Sequence, residues 1–182
     1  MLIAKEKRKS NIAEYIIYMW QIEDLMRVFK FDINTIIENL VDAKALDHKL
    51  LADYENWYSD IIEMMTIENI KEKGHLQVIS NLILDLNRLH FELLNARVDY
   101  KYIELYNKAL PNILEFSKKI ESADKNEIEI IFNALYALLL LRIQKKEISK
   151  GTNQAMKTFS NLIADLTKKY HQREEKEKTQ WL

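Results

Sequence analysis

The sequence predicts an all-α protein, and two of its features carry that prediction. Two glycines and one proline occur in 182 residues, whereas folds built of strands use both residue types at most of their tight turns. Apolar residues also recur at the three- and four-residue spacing of a helix face along most of the chain. We therefore expect an antiparallel bundle of about six to seven helices. A chain of this length can bury roughly 70% of its unfolded surface, so residues 1–182 are predicted to form a single domain in which residues 1–10 and 173–182 fray.

The first quarter of the chain predicts a long helix followed by a short one. Residues 11–29 keep apolar side chains at helical spacing, and Ser10 is a candidate N-cap of this helix. The helix is apolar on most of its sides, which is typical of a helix surrounded by others. Asp32 is a candidate cap for a short helix from residue 33 to about residue 41.

Two long helices joined at a glycine are predicted next. The first covers residues 47–73, and Gly74 follows its lysine-rich last turn as helix-ending glycines commonly do. The second begins at residue 75 or 76 and runs to about residue 110, where Pro111 interrupts the apolar pattern without changing its phase. Because a proline within a helix removes a hydrogen bond and clashes with the preceding turn, we expect a kink or a one-turn break there.

A second helix–glycine–helix hairpin is predicted towards the C-terminus. Residues 121–127 are expected to form a loop in which Asp124 can cap the next helix, residues 125–146. Gly151 is expected to end that segment, and Thr152 to cap a last helix that reaches about residue 178.

One heptapeptide occurs twice, once in the second helix of each hairpin. Residues 80–86 are SNLILDL and residues 160–166 are SNLIADL, so the two copies differ only at Leu84 and Ala164. An old duplication and a coincidence between two helices of similar composition both explain the repeat. Each copy also begins a narrow polar line at helical spacing. These lines, which either face solvent or form a polar groove between helices, are Asn81, Asp85 and Arg88, and Asn161, Asp165 and Lys168.

Metal and cofactor chemistry finds little support in the sequence. The chain has no cysteine, which excludes disulfides and thiolate ligands. Its single Glu-x-x-His match, Glu72 to His75, has no second copy, whereas a carboxylate-bridged di-iron bundle needs two. We expect no metal site and no cofactor. His90 is predicted to have a hydrogen-bonded structural role.

Charge and hydropathy argue against nucleic acid and against a membrane span. The net charge is −1, whereas binding to a phosphate backbone needs a basic excess. The longest apolar run, residues 130–141, is shorter than the roughly 20 residues that cross a bilayer, and no secretory signal fits the N-terminus. We expect a cytoplasmic protein, and contact with a membrane surface or with nucleic acid through the basic residues 5–9 is the weakest interpretation.

The first helix also carries polar residues that make the best candidate site. Glu14, Tyr18 and Gln21 share one face, with Asp24 at its margin. If that helix is central, these groups must be hydrogen-bonded or hydrated, and burial would raise the pKa of a carboxylate among them. Glu23 and Arg27 are predicted to form an ordinary surface pair. The candidate ligand-binding residues are Glu14, Tyr18, Gln21, Asp24 and Arg88.

The opening residues, MLIAKEKRKSNIAEYIIYMWQIEDL, resemble the start of an uncharacterised bacterial domain-of-unknown-function family of small all-helical proteins. The resemblance extends over the whole chain. It implies a full-length, single-domain protein in the bacterial cytosol. It brings no activity and no catalytic residues.

Our leading interpretation is a non-enzymatic helical interaction or scaffold protein that self-associates, as a homodimer, through aromatic and leucine-rich faces. The alternative is a small-molecule binding protein or enzyme with a polar pocket between helices around Glu14, Tyr18, Gln21 and Asp24. An enzymatic function therefore remains an alternative, although the sequence favours a non-enzymatic protein. An unidentified protein or small molecule is a possible partner under either interpretation.

Overall fold

The protein is all-α, as the sequence predicts. The computed structural model describes residues 2–42, 46–119 and 125–180, and within them the chain forms eight helices and no strand. The predicted cap Asp124 and most of the predicted loop 121–127 lie outside these residues. The helices are α1 (Leu2–Ser10), α2 (Ile12–Val28), α3 (Ile33–Leu40), α4 (His48–Ile67), α5 (Gln77–Ala96), α6 (Tyr100–Ser117), α7 (Glu127–Ile143) and α8 (Lys150–Gln180).

The chain forms two compact units, Met1–Asn81 and Leu82–Leu182. Residues 77–81 of α5 belong to the first unit and residues 82–96 to the second. The single-domain behaviour of the chain stays a prediction. So does the fraying of residues 1–10 and 173–182, most of which are helical here in α1 and α8.

In the first unit, α2 contacts both α1 and α4, and α3 contacts α4. Because α2 buries residues on several of its sides, it occupies a central place in this unit, as its all-round apolar pattern predicts. The core of the unit includes Ile12, Ile16, Trp20, Met26, Ile36, Tyr58, Ile61, Met65, Leu76 and Ile79.

The start of α2 lies one residue later than predicted. Asn11, and not Ser10, is the N-cap, since the Asn11 side chain accepts hydrogen bonds from the backbone N–H groups of Ala13 (3.1 Å) and Glu14 (3.3 Å). Ser10 instead closes α1, where its hydroxyl donates to the Glu6 carbonyl at 2.9 Å. The predicted cap of α3 is confirmed, because the Asp32 side chain accepts from the backbone N–H of Thr35.

The first hairpin connection begins earlier than predicted. Helix α4 ends at Ile67, and Asn69 then takes a left-handed conformation (φ +55°) that asparagine tolerates better than most residues. Gly74 lies within the connection to α5, with φ +97°. A Cβ added at Gly74 would lie 3.3 Å from Cγ2 of Ile70, so both the backbone conformation and the space favour glycine at this position.

The long helix predicted from residue 75 or 76 to Leu110 is two helices, and the break is not at the proline. Arg97 is left-handed (φ +52°), and Asp99 caps α6 by accepting from the backbone N–H of Tyr102 at 3.0 Å. Pro111 lies inside α6. Its missing N–H leaves the carbonyl of Asn107 without its helical partner, and because both residues are exposed, water can reach that carbonyl.

In the second unit, α6, α7 and α8 contact one another. Ion pairs link α6 to α8, since Lys169 lies 2.6 Å from Asp99 and 2.9 Å from Asp165, which also bonds to Lys101. Burial alone would raise the pKa of Asp165, but the hydrogen bonds from Lys101 and Lys169 outweigh it and hold that pKa below its usual value. The core of the unit includes Leu86, Tyr102, Ala109, Ile113, Ile131, Phe132, Phe159, Leu162 and Leu166.

The predicted roles of Gly151 and Thr152 are wrong. Helix α7 ends at Ile143, and Lys145 takes the left-handed conformation (φ +54°) that follows it. Gly151 lies in the first turn of α8, where the Ser149 hydroxyl accepts from the backbone N–H of Thr152 at 3.1 Å. Ser149 therefore caps the N-terminus of α8, and the helix α7 of the second hairpin does not end at a glycine.

Candidate functional site

The predicted candidate Glu14 lies on the surface of the first unit. Its carboxylate accepts from Lys7 Nζ at 3.0 Å and from Asn11 Nδ2 at 3.2 Å, while Asn11 caps the helix that Glu14 belongs to. This reciprocal arrangement resembles a capping box, in which cap and third-position residue satisfy one another. The Glu14 side chain thus supports the start of α2.

The other predicted residues of α2 have separate surroundings. Asp24 accepts from Arg27 Nη1 at 2.9 Å, and ten helical residues place it about 15 Å along the axis from Glu14. Tyr18 is half-buried, and that burial, followed by the nearby Tyr54, raises the pKa of its phenol. Gln21 is half-buried as well. The carboxylates of Glu14 and Asp24 therefore do not belong to one hydrogen-bonded cluster.

The buried carboxylate of α2 is Glu23, so the prediction that Glu23 forms a surface pair with Arg27 is wrong. Glu23 is completely buried. Its Oε2 lies 2.6 Å from Nδ1 of His75, and its Oε1 accepts from the backbone N–H of Leu76 at 3.1 Å. A signal in the sequence could have revealed it, because Glu23 follows Met19 and Trp20 by four and three residues, on the face that is buried.

Side chains of α2 hold the connection between α4 and α5 in place. The His75 ring stacks on Trp20 with centroids 4.1 Å apart and planes 13° apart. Arg27 Nη2 donates to the carbonyls of Ile70 (3.0 Å) and Gly74 (2.5 Å). With Glu23, these contacts satisfy backbone groups of an irregular segment, which accounts for a charged residue on a buried face.

A second buried polar cluster confirms the structural role predicted for His90. The His90 side chain is completely buried, with Nδ1 2.6 Å from the Tyr102 hydroxyl and Nε2 3.2 Å from Glu127 Oε2. The Tyr106 hydroxyl donates to Glu127 Oε1 at 3.2 Å. An N–H on Nε2 of His90 that donates to Glu127 satisfies this pattern when Nδ1 accepts from the Tyr102 hydroxyl.

The surroundings of this cluster shift two pKa values in opposite directions. The hydrogen bond from His90 is the main reason that the pKa of Glu127 is lowered. Burial, followed by the negative charges of Asp165 and Glu127, strongly raises the pKa of Tyr102. The cluster therefore links the carboxylate of Glu127, the imidazole of His90 and the neutral phenol of Tyr102 by hydrogen bonds. Its two buried members, His90 and Tyr102, are not accessible to a substrate.

Arg88, the last predicted site residue, lines a cavity of about 270 Å³ in the second unit. Its Nη2 donates to Asp85 at 3.1 Å, and across the cavity Arg173 bonds to Glu92 (2.7 Å) and Glu177 (3.1 Å). Both guanidinium groups are thus matched by carboxylates. The lining residues are Asp85, Arg88, Leu89, Tyr170, Arg173, Glu174 and Glu177.

The described parts of the chain offer little for a metal or a membrane. Within residues 2–42, 46–119 and 125–180 there is no group of three or more His, Asp or Glu side chains that could hold a metal ion. None of the helices described there is both long and apolar enough to cross a membrane.

The exposed face of α5 carries two large apolar side chains, Leu84 and Phe91, and the heptapeptide repeat allows a comparison with α8. Both copies bury the same three positions, which are Leu82, Ile83 and Leu86 in the first and Leu162, Ile163 and Leu166 in the second. The one position that differs is exposed in both copies, as Leu84 (51% exposed) and as Ala164. One turn beyond Arg88, Phe91 is also exposed (47%), whereas the corresponding position of α8 is His171.

No protein of a curated set matches the chain. No solved structure matches it either. A family model matches residues 1–177, nearly the whole length, under the description Domain of unknown function (DUF4924). The chain therefore belongs to the DUF4924 family.

Proposed function

We propose that this protein is a non-enzymatic helical interaction protein that self-associates as a homodimer through the exposed face of α5. The observation that carries the proposal is the difference between the two copies of the repeat. Packing a helix of this pattern requires only the buried positions that both copies keep. Leu84 corresponds to Ala164 of the second copy, and Phe91, five residues beyond the first copy, corresponds to His171 at the same 80-residue offset. Both add outward apolar surface that the core does not need.

The two side chains lie on one side of the helix. Residues seven apart are separated by two helical turns, so Leu84 and Phe91 lie about 10 Å apart on the same face. Arg88 lies between them, and its methylene stem can cover part of the gap while the guanidinium bonds to Asp85. Val98 and Tyr100, beyond the end of α5, are exposed as well. Exposed large apolar side chains that share a helix face are a common feature of protein contact sites.

The buried polar groups support a non-enzymatic role. Glu23 and His90 are completely buried and have their hydrogen bonds with other protein groups. A catalytic acid or base must come within hydrogen-bond distance of a substrate. Several groups whose pKa is lowered, namely Asp99, Asp165 and Glu127, lie in contacts between helices, as expected of structural networks.

Light scattering with matched variants tests the proposal. We expect the wild-type mass to rise from that of one chain to that of two across the micromolar range. The variant Leu84→Ala/Phe91→His, which introduces the residues found at the corresponding positions 164 and 171 of α8, should stay monomeric. The control Leu114→Ala removes an equally exposed leucine (53%) from α6 and should dimerise like the wild type. A wild-type protein that stays monomeric, or a double variant that still dimerises, would contradict the proposal.

A second candidate function, small-molecule binding, is favoured by the cavity at Arg88. The cavity combines two guanidinium groups and several carboxylates with the side chains of Leu89 and Tyr170, which suits a small ligand carrying both charges. The predicted set Glu14, Tyr18, Gln21 and Asp24 remains part of this proposal as a second place for a ligand. Native mass spectrometry and thermal shifts across a panel of zwitterionic metabolites test it, with Arg88→Gln expected to abolish any shift at the cavity.

We place this function in the bacterial cytoplasm. The lack of cysteine is compatible with a reducing compartment. Fractionation of cells that produce the protein tests the location, and recovery in a membrane or secreted fraction would contradict it.

A further inference from the structure

We propose that Nε2 of His75 is a phosphoryl acceptor, which takes the group from a donor whose phosphorus is bonded to nitrogen, such as a phosphoramidate. The inference is independent of the self-association proposed above. It starts from one contact of the first unit, in which Nδ1 of the partly exposed His75 ring lies 2.6 Å from the completely buried carboxylate of Glu23. A buried carboxylate beside an imidazole that solvent can reach is an arrangement that activates the imidazole.

The Glu23 carboxylate determines which ring nitrogen of His75 is free to react. Its Oε1 accepts from the backbone N–H of Leu76 at 3.1 Å. Because an ionised carboxylate only accepts, Oε2 takes its hydrogen bond from an N–H on Nδ1, and Nε2 of the neutral ring then carries the lone pair. Within the described parts of the chain, Nε2 has no hydrogen-bond partner. The nucleophilic nitrogen of His75 is therefore Nε2.

The packing around the ring leaves this nitrogen accessible. Trp20 stacks on one face of the His75 ring, with centroids 4.1 Å apart, and Glu23 covers the Nδ1 edge. The His75 side chain is 30% exposed. The opposite face and the remaining edge, which includes Nε2, are thus left for an incoming group, while the stack and the hydrogen bond hold the ring in one orientation.

The other three histidines of the chain lack this combination. His90 is completely buried. His48 is exposed, and its ring bonds to no carboxylate of the described residues. Nδ1 of His171 lies 3.4 Å from Glu174, a longer distance to a carboxylate that is itself partly exposed. His75 is therefore the histidine that we expect to react first.

The transfer balances without a further reactant. The Nε2 lone pair of the neutral ring attacks phosphorus, the P–N bond of the phosphoramidate breaks, and the leaving nitrogen, which is protonated at neutral pH, departs as ammonia. The ring keeps the proton on Nδ1 and becomes positive, while the phosphoryl group on Nε2 is a dianion. Because one P–N bond replaces another, the exchange needs no separate energy source.

The surroundings of His75 stabilise the product. The positive ring faces the Glu23 carboxylate, so the hydrogen bond from Nδ1 then joins two charged groups and becomes stronger. The stack on Trp20 adds a cation–π contact. The phosphoryl dianion extends towards solvent, where water and the exposed Lys73, two residues before His75, can solvate it.

Phosphoryl uptake from potassium phosphoramidate at neutral pH, followed by intact mass spectrometry, tests the inference. We expect peptide mapping without acid to place the first group on His75, at a rate about tenfold or more above that of His48. The His75→Gln variant should lose this first addition, whereas the control His48→Gln should keep it. Long-range proton–nitrogen NMR spectra should identify the substituted nitrogen as Nε2.

The Glu23→Gln variant tests the positioning role of the carboxylate. Its amide oxygen can still accept from the Leu76 N–H, but the negative charge beside the ring is lost. We expect uptake at His75 to become about tenfold slower with the helical circular dichroism of the wild type. A merely structural role predicts the opposite, because a loosened connection would expose His75 and raise the rate.

Three results would overturn the proposal. One is uptake at His75 that is no faster than at His48 in the wild-type protein, a comparison that needs no variant. The second is addition at Nδ1 of His75 in place of Nε2. The third is a rate at His75 that Glu23→Gln leaves unchanged or raises.

Discussion

Replacing Glu23 with leucine tests whether the buried carboxylate of α2 stabilises the first unit. The substitution keeps a side chain of similar size in a completely buried place. It removes the acceptor of the Leu76 N–H and the partner of His75 Nδ1. Both groups then have to be satisfied in another way or stay unpaired.

The expected cost follows from these two contacts. A buried N–H without an acceptor costs about 1–3 kcal/mol, and a hydrogen bond to a charged group contributes about 1.5–3 kcal/mol. The partly exposed His75 can form a hydrogen bond to water in place of the one it loses. Removing the carboxylate also removes the free-energy cost of burying a charged group. We therefore expect Glu23→Leu to lower the free energy of unfolding by about 2–4 kcal/mol. Glu23→Gln should cost less, because its amide oxygen can still accept from Leu76.

The assay is urea unfolding followed by far-ultraviolet circular dichroism and by tryptophan fluorescence, to which Trp20 contributes from its stack with His75. Glu14→Leu is the matched control, since it makes the same change at an exposed position of the same helix. The loss there should be under about 1 kcal/mol. A Glu23→Leu protein that is no less stable than Glu14→Leu would refute the assignment of the structural carboxylate.

Three further predictions concern the other polar cluster and the glycines. Tyr102→Phe should lower the free energy of unfolding by about 1–3 kcal/mol, because it leaves Nδ1 of the buried His90 without a partner; urea unfolding measures it, and no change would contradict the hydrogen bond. The pKa of Glu127 is lowered in the folded state from its ordinary 4.5, so the contribution of Glu127 to stability is present above about pH 4.5 and is lost as the pH falls through the folded-state pKa. The Glu127→Gln variant should therefore lose less free energy of unfolding on acidification than the wild type. Parallel curves of unfolding free energy against pH for the two proteins would argue against this linkage. Gly74→Ala should destabilise the protein by about 1 kcal/mol or more, because Gly74 has a positive φ. Gly151→Ala, in the first turn of α8, should leave the stability unchanged or raise it by up to about 1 kcal/mol. Equal changes in melting temperature for the two variants would contradict this difference.

The fold class was predictable because composition and periodicity are local properties of the chain. The ends of the helices were harder. Asn69, Arg97 and Lys145 hold the left-handed conformations that follow three of the helices, whereas the sequence predicts helix ends at Gly74 and Gly151. The cost of that conformation in a non-glycine residue is only about 1–2 kcal/mol, and packing on both sides of a connection can offset it. A residue's identity alone therefore does not locate such ends.

The candidate site shows a similar limit. The central helix α2 does carry a buried polar group with hydrogen-bond partners, but that group is Glu23 and not the predicted Glu14. Helical phase could have favoured Glu23, which follows Trp20 by one turn. Its partner His75 lies in a connection 52 residues further along, and no local pattern links the two. Contacts between distant segments depend on which helices become neighbours, which the sequence pattern does not specify.

Sedimentation equilibrium of the wild-type protein over a wide concentration range tests self-association most directly. The account predicts a mass that rises with concentration from one chain of 21.7 kDa towards twice that value and then levels off, as a closed two-fold pair requires. A mass that stays at one chain at high micromolar concentration, or one that continues to rise beyond two chains, would contradict it.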